Sequence, residues 1–233
     1  MRNYVAVRSL VSLTLLLTLT ALGAKAQTAD LGKQLLDARV PKFEMQDGTL
    51  FGGVARLSAE PTQLSFALEY ILSAHPHDPP MPEVPFTIKM ENRTFREVLD
   101  ALCSFDGRYT WSLDGTTVNV YPKATVGDGS YLMNRRLLKL ELRGVSAAED
   151  AMFAAVAQLP PPFEQIAFAQ AGGNTSFPAP WTSTFENLTL RQALNLIARN
   201  IAPSGGWVLS GSREFRTVGF HTQRIHGSQA DSE

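Results

Sequence analysis

Two stretches, "ENRTFREVLDAL" at Glu91–Leu102 and "ENLTLRQALNLI" at Glu186–Ile197, lie 95 residues apart and write the same line twice. In each, a Thr is followed three residues later by a long polar side chain, Thr94 by Glu97 and Thr189 by Gln192. That spacing is a capping box: the hydroxyl accepts from a free backbone N–H, and the longer side chain reaches back to the N–H of the cap. Apolar residues follow at helical spacing, Phe95, Val98, Leu99 and Leu102 in the first copy and Leu190, Ala193, Leu194, Ile197 and Ile201 in the second. Arg96, Glu97 and Asp100, and likewise Arg191, Gln192 and Asn195, fall on the face expected to be wet. Ser146 with Glu149 predicts a third box opening a helix over 146–159. Asn92-Arg-Thr94 and Asn187-Leu-Thr189 also spell glycosylation sequons, but here the threonines are used as caps.

The likeness extends outward from the helices. "VPFTIKM" before the first, with Val84, Phe86, Ile88 and Met90 alternating, and "WTSTF" before the second, with Trp181, Ser183 and Phe185 on one side, predict half-buried strands. After the first helix, Tyr109, Trp111 and Leu113 alternate, Asp114-Gly115 turns the chain, and Val118 and Val120 return, which is a hairpin. After the second, Trp207 and Leu209 and then Val218 and Phe220 flank a Ser-Gly-Ser turn. Upstream, "KFEM", a helix on Leu50, Val54 and Leu57, and "LSFALEY" (Leu64, Phe66, Leu68, Tyr70) match "LKLEL", the helix from Ser146 and "FEQIAFA". Gly52 and Gly53 each cost that first helix roughly 1 kcal/mol of propensity. Each half thus reads β-α-β-β-α-β-β, an α+β fold of two helices on small mixed sheets. Pro- and Gly-rich loops, "SAHPHDPPMPE" and "QAGGNTSFPAP", fall at the midpoint of each half. The predicted organisation is two repeated domains, 38–123 and 136–222, joined by "KATVGDGSYLMNRR" and followed by a tail at 223–233.

The first 26 residues read as a secretory signal peptide: Arg2 and Arg8, an apolar run from Leu10 to Leu22, then Ala24-Lys25-Ala26 as a cleavage site. The run is shorter than the roughly 20 residues a spanning helix needs, so no stable transmembrane segment is expected after cleavage. Of the whole chain of 233 residues, 44% is hydrophobic and 18% charged, which is ordinary globular composition. A formal net charge of −1 with scattered Lys and Arg excludes a nucleic-acid footprint. Cys103, the single cysteine, has no intramolecular disulfide partner and is read as a buried, inert thiol.

The strand, polar-Asn turn, capped helix and aromatic hairpin resemble the secretin and TonB short N-terminal (STN) domain family. The residues that carry the resemblance are Asn92, Thr94, Glu97, Leu99 and Leu102, then Tyr109, Gly115, Val118 and Val120. The second copy supplies Asn187, Thr189, Gln192, Leu194 and Ile197, then Trp207 and Val218. Where that family has a Gly-Thr-Gly-Leu stretch after the helix, this chain has "SFDGRY" and "APSGGW". The resemblance implies a periplasmic or outer-membrane-associated module working by protein contact. Its implied partners are an outer-membrane secretin, a TonB-dependent receptor or an anti-sigma factor. The pair is expected to stand without a downstream barrel or secretin ring.

Searching for chemistry turns up few candidates. His75 and His77 in "HPHD" could offer imidazoles to a metal, but a third ligand is missing nearby, and a solvated loop is the simpler reading. His221 and His226 fall near the C-terminal coil. Glu91, Glu97, Glu141 and Glu186 occupy cap or exposed-strand positions. No nucleophile elbow, P-loop or zinc-protease motif is present. Trp111 and Trp207 share a hairpin position suited to packing, or to stacking on a partner. The expected function is therefore non-enzymatic, without cofactor or metal: an interaction module for envelope secretion, transport or signalling. The alternative is a periplasmic sensor of a small ligand or metal, with a cleft formed by the two midpoint loops and Phe177 or Trp181.

Overall fold

The structure, a computed structural model, describes residues 30–79, 81–159, 165–170 and 175–221. The expected signal peptide and tail lie outside them. A helix not anticipated from the sequence, α1, occupies residues 30–37. The first half continues as β1 (Arg39–Gly48), α2 (Leu50–Ser58), β2 (Ser65–Glu69), β3 (Phe86–Thr94), α3 (Phe95–Phe105), β4 (Tyr109–Asp114) and β5 (Thr117–Pro122). Short 3₁₀ turns at Lys123–Thr125 and Leu132–Asn134 lead on. The second half is β6 (Arg136–Ala147), α4 (Ala148–Val156), β7 (Gln165–Gln170), β8 (Ser176–Thr189), α5 (Leu190–Ile201), β9 (Gly206–Gly211) and β10 (Phe215–His221). The fold is mixed α+β.

The line that opened the sequence folds alike at both places. Asn92 and Asn187 take the left-handed conformation, at φ 51° and 56°, which Asn tolerates better than most residues. The chain then reaches the Thr cap. The Glu97 N–H donates to the Thr94 hydroxyl at 3.1 Å, and the Thr94 N–H returns to the Glu97 carboxylate at 2.8 Å. At Thr189 and Gln192 the corresponding distances are 3.2 and 2.9 Å. The first helical N–H finds the residue before the ribbon: Phe95 donates to Ala38 and Leu190 to Arg135. Both strands ahead of the helices belong to antiparallel ribbons. Lys42 faces Glu91 and Phe43 faces Met90 in β1–β3, while Lys139 faces Glu186 and Leu140 faces Phe185 in β6–β8.

Two expectations near the second ribbon are corrected. The Ser146–Glu149 capping box does not form: β6 runs through to Ala147, which caps α4 without a side-chain hydrogen bond. The Ala148 N–H is taken instead by the Thr175 carbonyl at 3.0 Å, and α4 ends at Val156 rather than Leu159. Ser176–Pro180, expected in a loop, belongs to β8. Pro178 and Pro180 are tolerated because, among the described residues, β8 pairs only with β6, so one edge needs no N–H donors.

The remaining strands form one six-stranded sheet in the order β4-β5-β2-β9-β10-β7, with the parallel β2–β9 pair at its centre. Each half contributes a block of three strands. The blocks repeat the same order (hairpin first strand, hairpin second strand, upstream strand), but every direction is reversed between them. A half-turn about the line crossing the strands produces that arrangement, and it places the helices of the two halves on opposite faces. Side-chain burial agrees. On β2, Phe66 and Leu68 join the first-half core with Val118, Val120 and the leucines of α3, while Ala67 joins the second-half core with Trp207, Leu209 and α5. All five residues of β2 are buried, because both faces and both edges are occupied.

Candidate functional site

Three features are candidates for function: the seam between the halves, the free edges of the sheet and a cavity above the seam. At the seam, α5 lies across the reverse face of β2 and β5. Glu69, fully buried at the end of β2, receives Arg191 of α5 through both Nε and Nη2, the latter at 3.1 Å, and the Tyr131 hydroxyl at 3.0 Å. Burial pushes the Glu69 carboxyl above its ordinary range, and Arg191 works against that shift. Burial also works to lower the Arg191 guanidinium, but bonding to Glu69 outweighs it and the group is raised. Arg191 further donates to Asn134 at 2.7 Å and sits 4.3 Å from the ring centre of Tyr121. One helical turn on, Asn195 donates to the Asp114 carboxylate at 2.9 Å and accepts the Trp207 indole N–H at 2.8 Å. A further turn on, Arg199 donates to the Asp114 carbonyl and the Thr117 hydroxyl.

This corrects the expectation that Arg191 and Asn195 are solvated. The helix is amphipathic with respect to its own half. The other half covers its polar stripe. The equivalent stripe on α3 has stayed open: Asp100 and Ser104 are exposed, Arg96 is half-buried over Trp111, and Trp111 donates to Asp100 at 2.8 Å.

Among the described residues, the ends of the sheet are β4 and β7, each with a single neighbour. By position within its block, β4 corresponds to β9, and β7 to β2, the two strands joined at the seam. The hairpin end of β4 meets α1, since a Cβ on Gly32 would come within 1.9 Å of the Gly115 carbonyl.

A cavity of about 790 Å³ opens where β2 and β5 end. Tyr70, Ile71, Leu72 and Leu132 form apolar walls, and Arg108, Lys123, Arg213 and Arg216 bring positive charge. Burial pushes the Tyr70 phenol up to about 12.

The residues singled out in the sequence lie elsewhere. His75 pairs with Glu214 at 2.8 Å on the surface, which raises the imidazole, and His77 is exposed. Among the described residues no group of three or more His, Cys, Asp or Glu could hold a metal ion. His221, expected in coil, is a buried residue of β10, and His226 lies outside the described residues. Phe177, Trp181 and Phe185 stack edge to face along β8 against the second core, and residues 171–174 of the second midpoint loop lie outside the described residues. Glu97 serves as the cap, and the Thr94 N–H lowers its carboxyl. Glu141 is held between Lys139 and Arg143. Cys103, expected to be buried, is half-buried, and burial pushes its thiol up to about 12. The sequence carries little local sign of the roles of Glu69 and the cavity cations, and it places Arg191 on a wet face. The one signal was a carboxylate closing an otherwise apolar strand, "LSFALE". Among the described residues no helix is long and apolar enough to cross a membrane. No protein-family model, curated protein or solved structure matches the chain.

Proposed function

We propose that the two halves are copies of one small binding unit, and that the protein works in the cell envelope by docking partner strands on its free sheet edges. The observation that carries this reading is the β2–β9 seam. There, one unit accepts the edge of another by parallel pairing of Ala67, Leu68 and Glu69 with Trp207, Val208 and Leu209, while α5 covers the reverse face. The same two kinds of edge recur at β4 and β7, unpaired among the described residues. Open edges present unsatisfied N–H and C=O groups, which an extended segment of a partner can complete. The leader-like first 26 residues support an envelope location. The STN resemblance makes a secretin, a TonB-dependent receptor or an anti-sigma factor the partner to look for first.

A photo-crosslinking residue placed at Ser112 on β4 and at Ala167 on β7, with the exposed Arg56 of α2 as control, tests this in intact cells. The expected result is a discrete crosslinked envelope protein from one or both edge positions and none from Arg56. Crosslinks from all three positions alike, or from none, would overturn the reading. Crosslinks confined to a second copy of the chain would make the chain its own partner.

A further inference from the structure

The cavity above the seam uses neither free edge, and its lining has a charge pattern at odds with the chain as a whole. Four cations reach it, Arg108, Lys123, Arg213 and Arg216, against one carboxylate, Asp128. The formal net charge of the protein is −1. Arg108 is already committed, with Asp106 receiving its Nε and Nη2 at 2.7 and 2.6 Å and the Pro82 carbonyl receiving Nη2 at 3.0 Å. Asp128 is also committed, accepting the N–H and hydroxyl of Ser130 at 2.8 and 2.6 Å. Lys123 and Arg213 are different. Both are exposed at the cavity mouth, and among the described residues neither enters an ion pair. Arg216 lies deeper, 7% exposed and close enough to Tyr131 to act on its phenol. From outside the lining, Glu83 acts on Tyr70, Asp106 is held by Arg108, and Glu69 accepts the Tyr131 hydroxyl at 3.0 Å.

From this we infer a binding site for a small organic anion with an apolar body. The head group, a carboxylate, sulfonate or phosphate, lies between Lys123 and Arg213, and the body fills the space walled by Tyr70, Ile71 and Leu132. The volume of about 790 Å³ falls in the range of small-molecule pockets, which are mostly apolar with a few convergent polar groups. Exposed cations at the mouth steer an anion inward, and apolar walls reward its body with burial. Because Tyr70, Lys123 and Arg213 come from the first half, the connector and the second half, the bound anion touches both sides of the seam.

Calorimetric titration of the intact protein with sodium 2-naphthalenesulfonate, with neutral 2-naphthalenemethanol alongside, tests the site. Saturable sulfonate binding is expected, at least tenfold tighter than the alcohol. It should weaken at least tenfold in the Lys123→Gln/Arg213→Gln variant, whose exposed substitutions leave the thermal unfolding midpoint of the free protein unchanged. Absence of saturable sulfonate binding, equal affinity for the alcohol, or unchanged affinity in the double variant would each overturn the assignment. Inorganic phosphate binding as tightly as the sulfonate would overturn the apolar half of it.

Discussion

The Trp207 indole N–H donates to Asn195 at 2.8 Å, and the Trp111 indole N–H donates to Asp100 at the same distance. The two bonds join matching positions of a hairpin strand and a helix, but one is sealed and the other is wet. Trp207 and Asn195 are fully buried, whereas Asp100 is exposed and Trp111 half-buried. A hydrogen bond in contact with water is replaced by water when one partner is removed. A buried donor left alone pays its full desolvation cost. Asn195→Ala should therefore cost about 1–3 kcal/mol, since it strands the indole N–H and also removes the donor to Asp114. Asp100→Ala should stay within about 0.5 kcal/mol, as a surface change does. Urea unfolding of the two variants measures the difference, and equal losses would mean that water reaches Asn195.

At the scale of elements, α2 pairs an unnecessary glycine with a necessary one. A Cβ on Gly52 would stand 3.3 Å from the Thr49 hydroxyl and 3.6 Å from the Met45 methyl, a tight but movable contact. A Cβ on Gly53 would stand 2.5 Å from Leu102 of α3, which is completely buried and has nowhere to go. Replacing either glycine with alanine gains about 1 kcal/mol of helix propensity. For Gly53 that gain is opposed by overpacking of about 1–3 kcal/mol. Gly52→Ala should raise the thermal midpoint and Gly53→Ala should lower it; a rise in both would show that α2 and α3 are less closely packed than their contact implies. The sequence alone shows both glycines as costs, because the reason for Gly53 lies in another helix. The same division runs through the fold. Caps at Thr94 and Thr189, the α3 and α5 stripes and the Asp114-Gly115 hairpin are local signals, and each was legible. The start of α4, the length of β8 and the place of α1 depend on residues remote in the chain, and were not. At the candidate sites the failure has the same origin. Arg96 and Arg191 occupy the same place in the repeated line, but only the second meets a buried carboxylate, Glu69, on a strand 122 residues earlier in the chain.

For the molecule as a whole, the question is what keeps two cores in one body. Each half has its own apolar cluster, and the second takes only Ala67 from the first half among its buried members. The joint is made by three β2–β9 backbone pairings, the polar set around Glu69 and Arg191, and the bonds of Asn195 and Arg199 to Asp114 and Thr117. A buried ion pair stabilises little in total, because its attraction is offset by desolvation, but removing one partner leaves a charge with neither water nor counter-ion. Glu69→Leu should therefore cost about 3–5 kcal/mol by stranding Arg191, and Arg191→Met a similar amount by stranding Glu69. The double variant removes both charges and fills part of their volume with apolar groups. Tyr131 and Asn134 then each lose a partner, at about 1 kcal/mol apiece. The double variant should thus be more stable than either single one, with a coupling of several kcal/mol in a urea double-mutant cycle. Losses that simply added would show that the pair does not work as a unit. The seam would then be held by the backbone pairing, by Ala67 and by the bonds of Asn195 and Arg199 to Asp114 and Thr117, and the free edges at β4 and β7 could bind a partner without a buried ion pair.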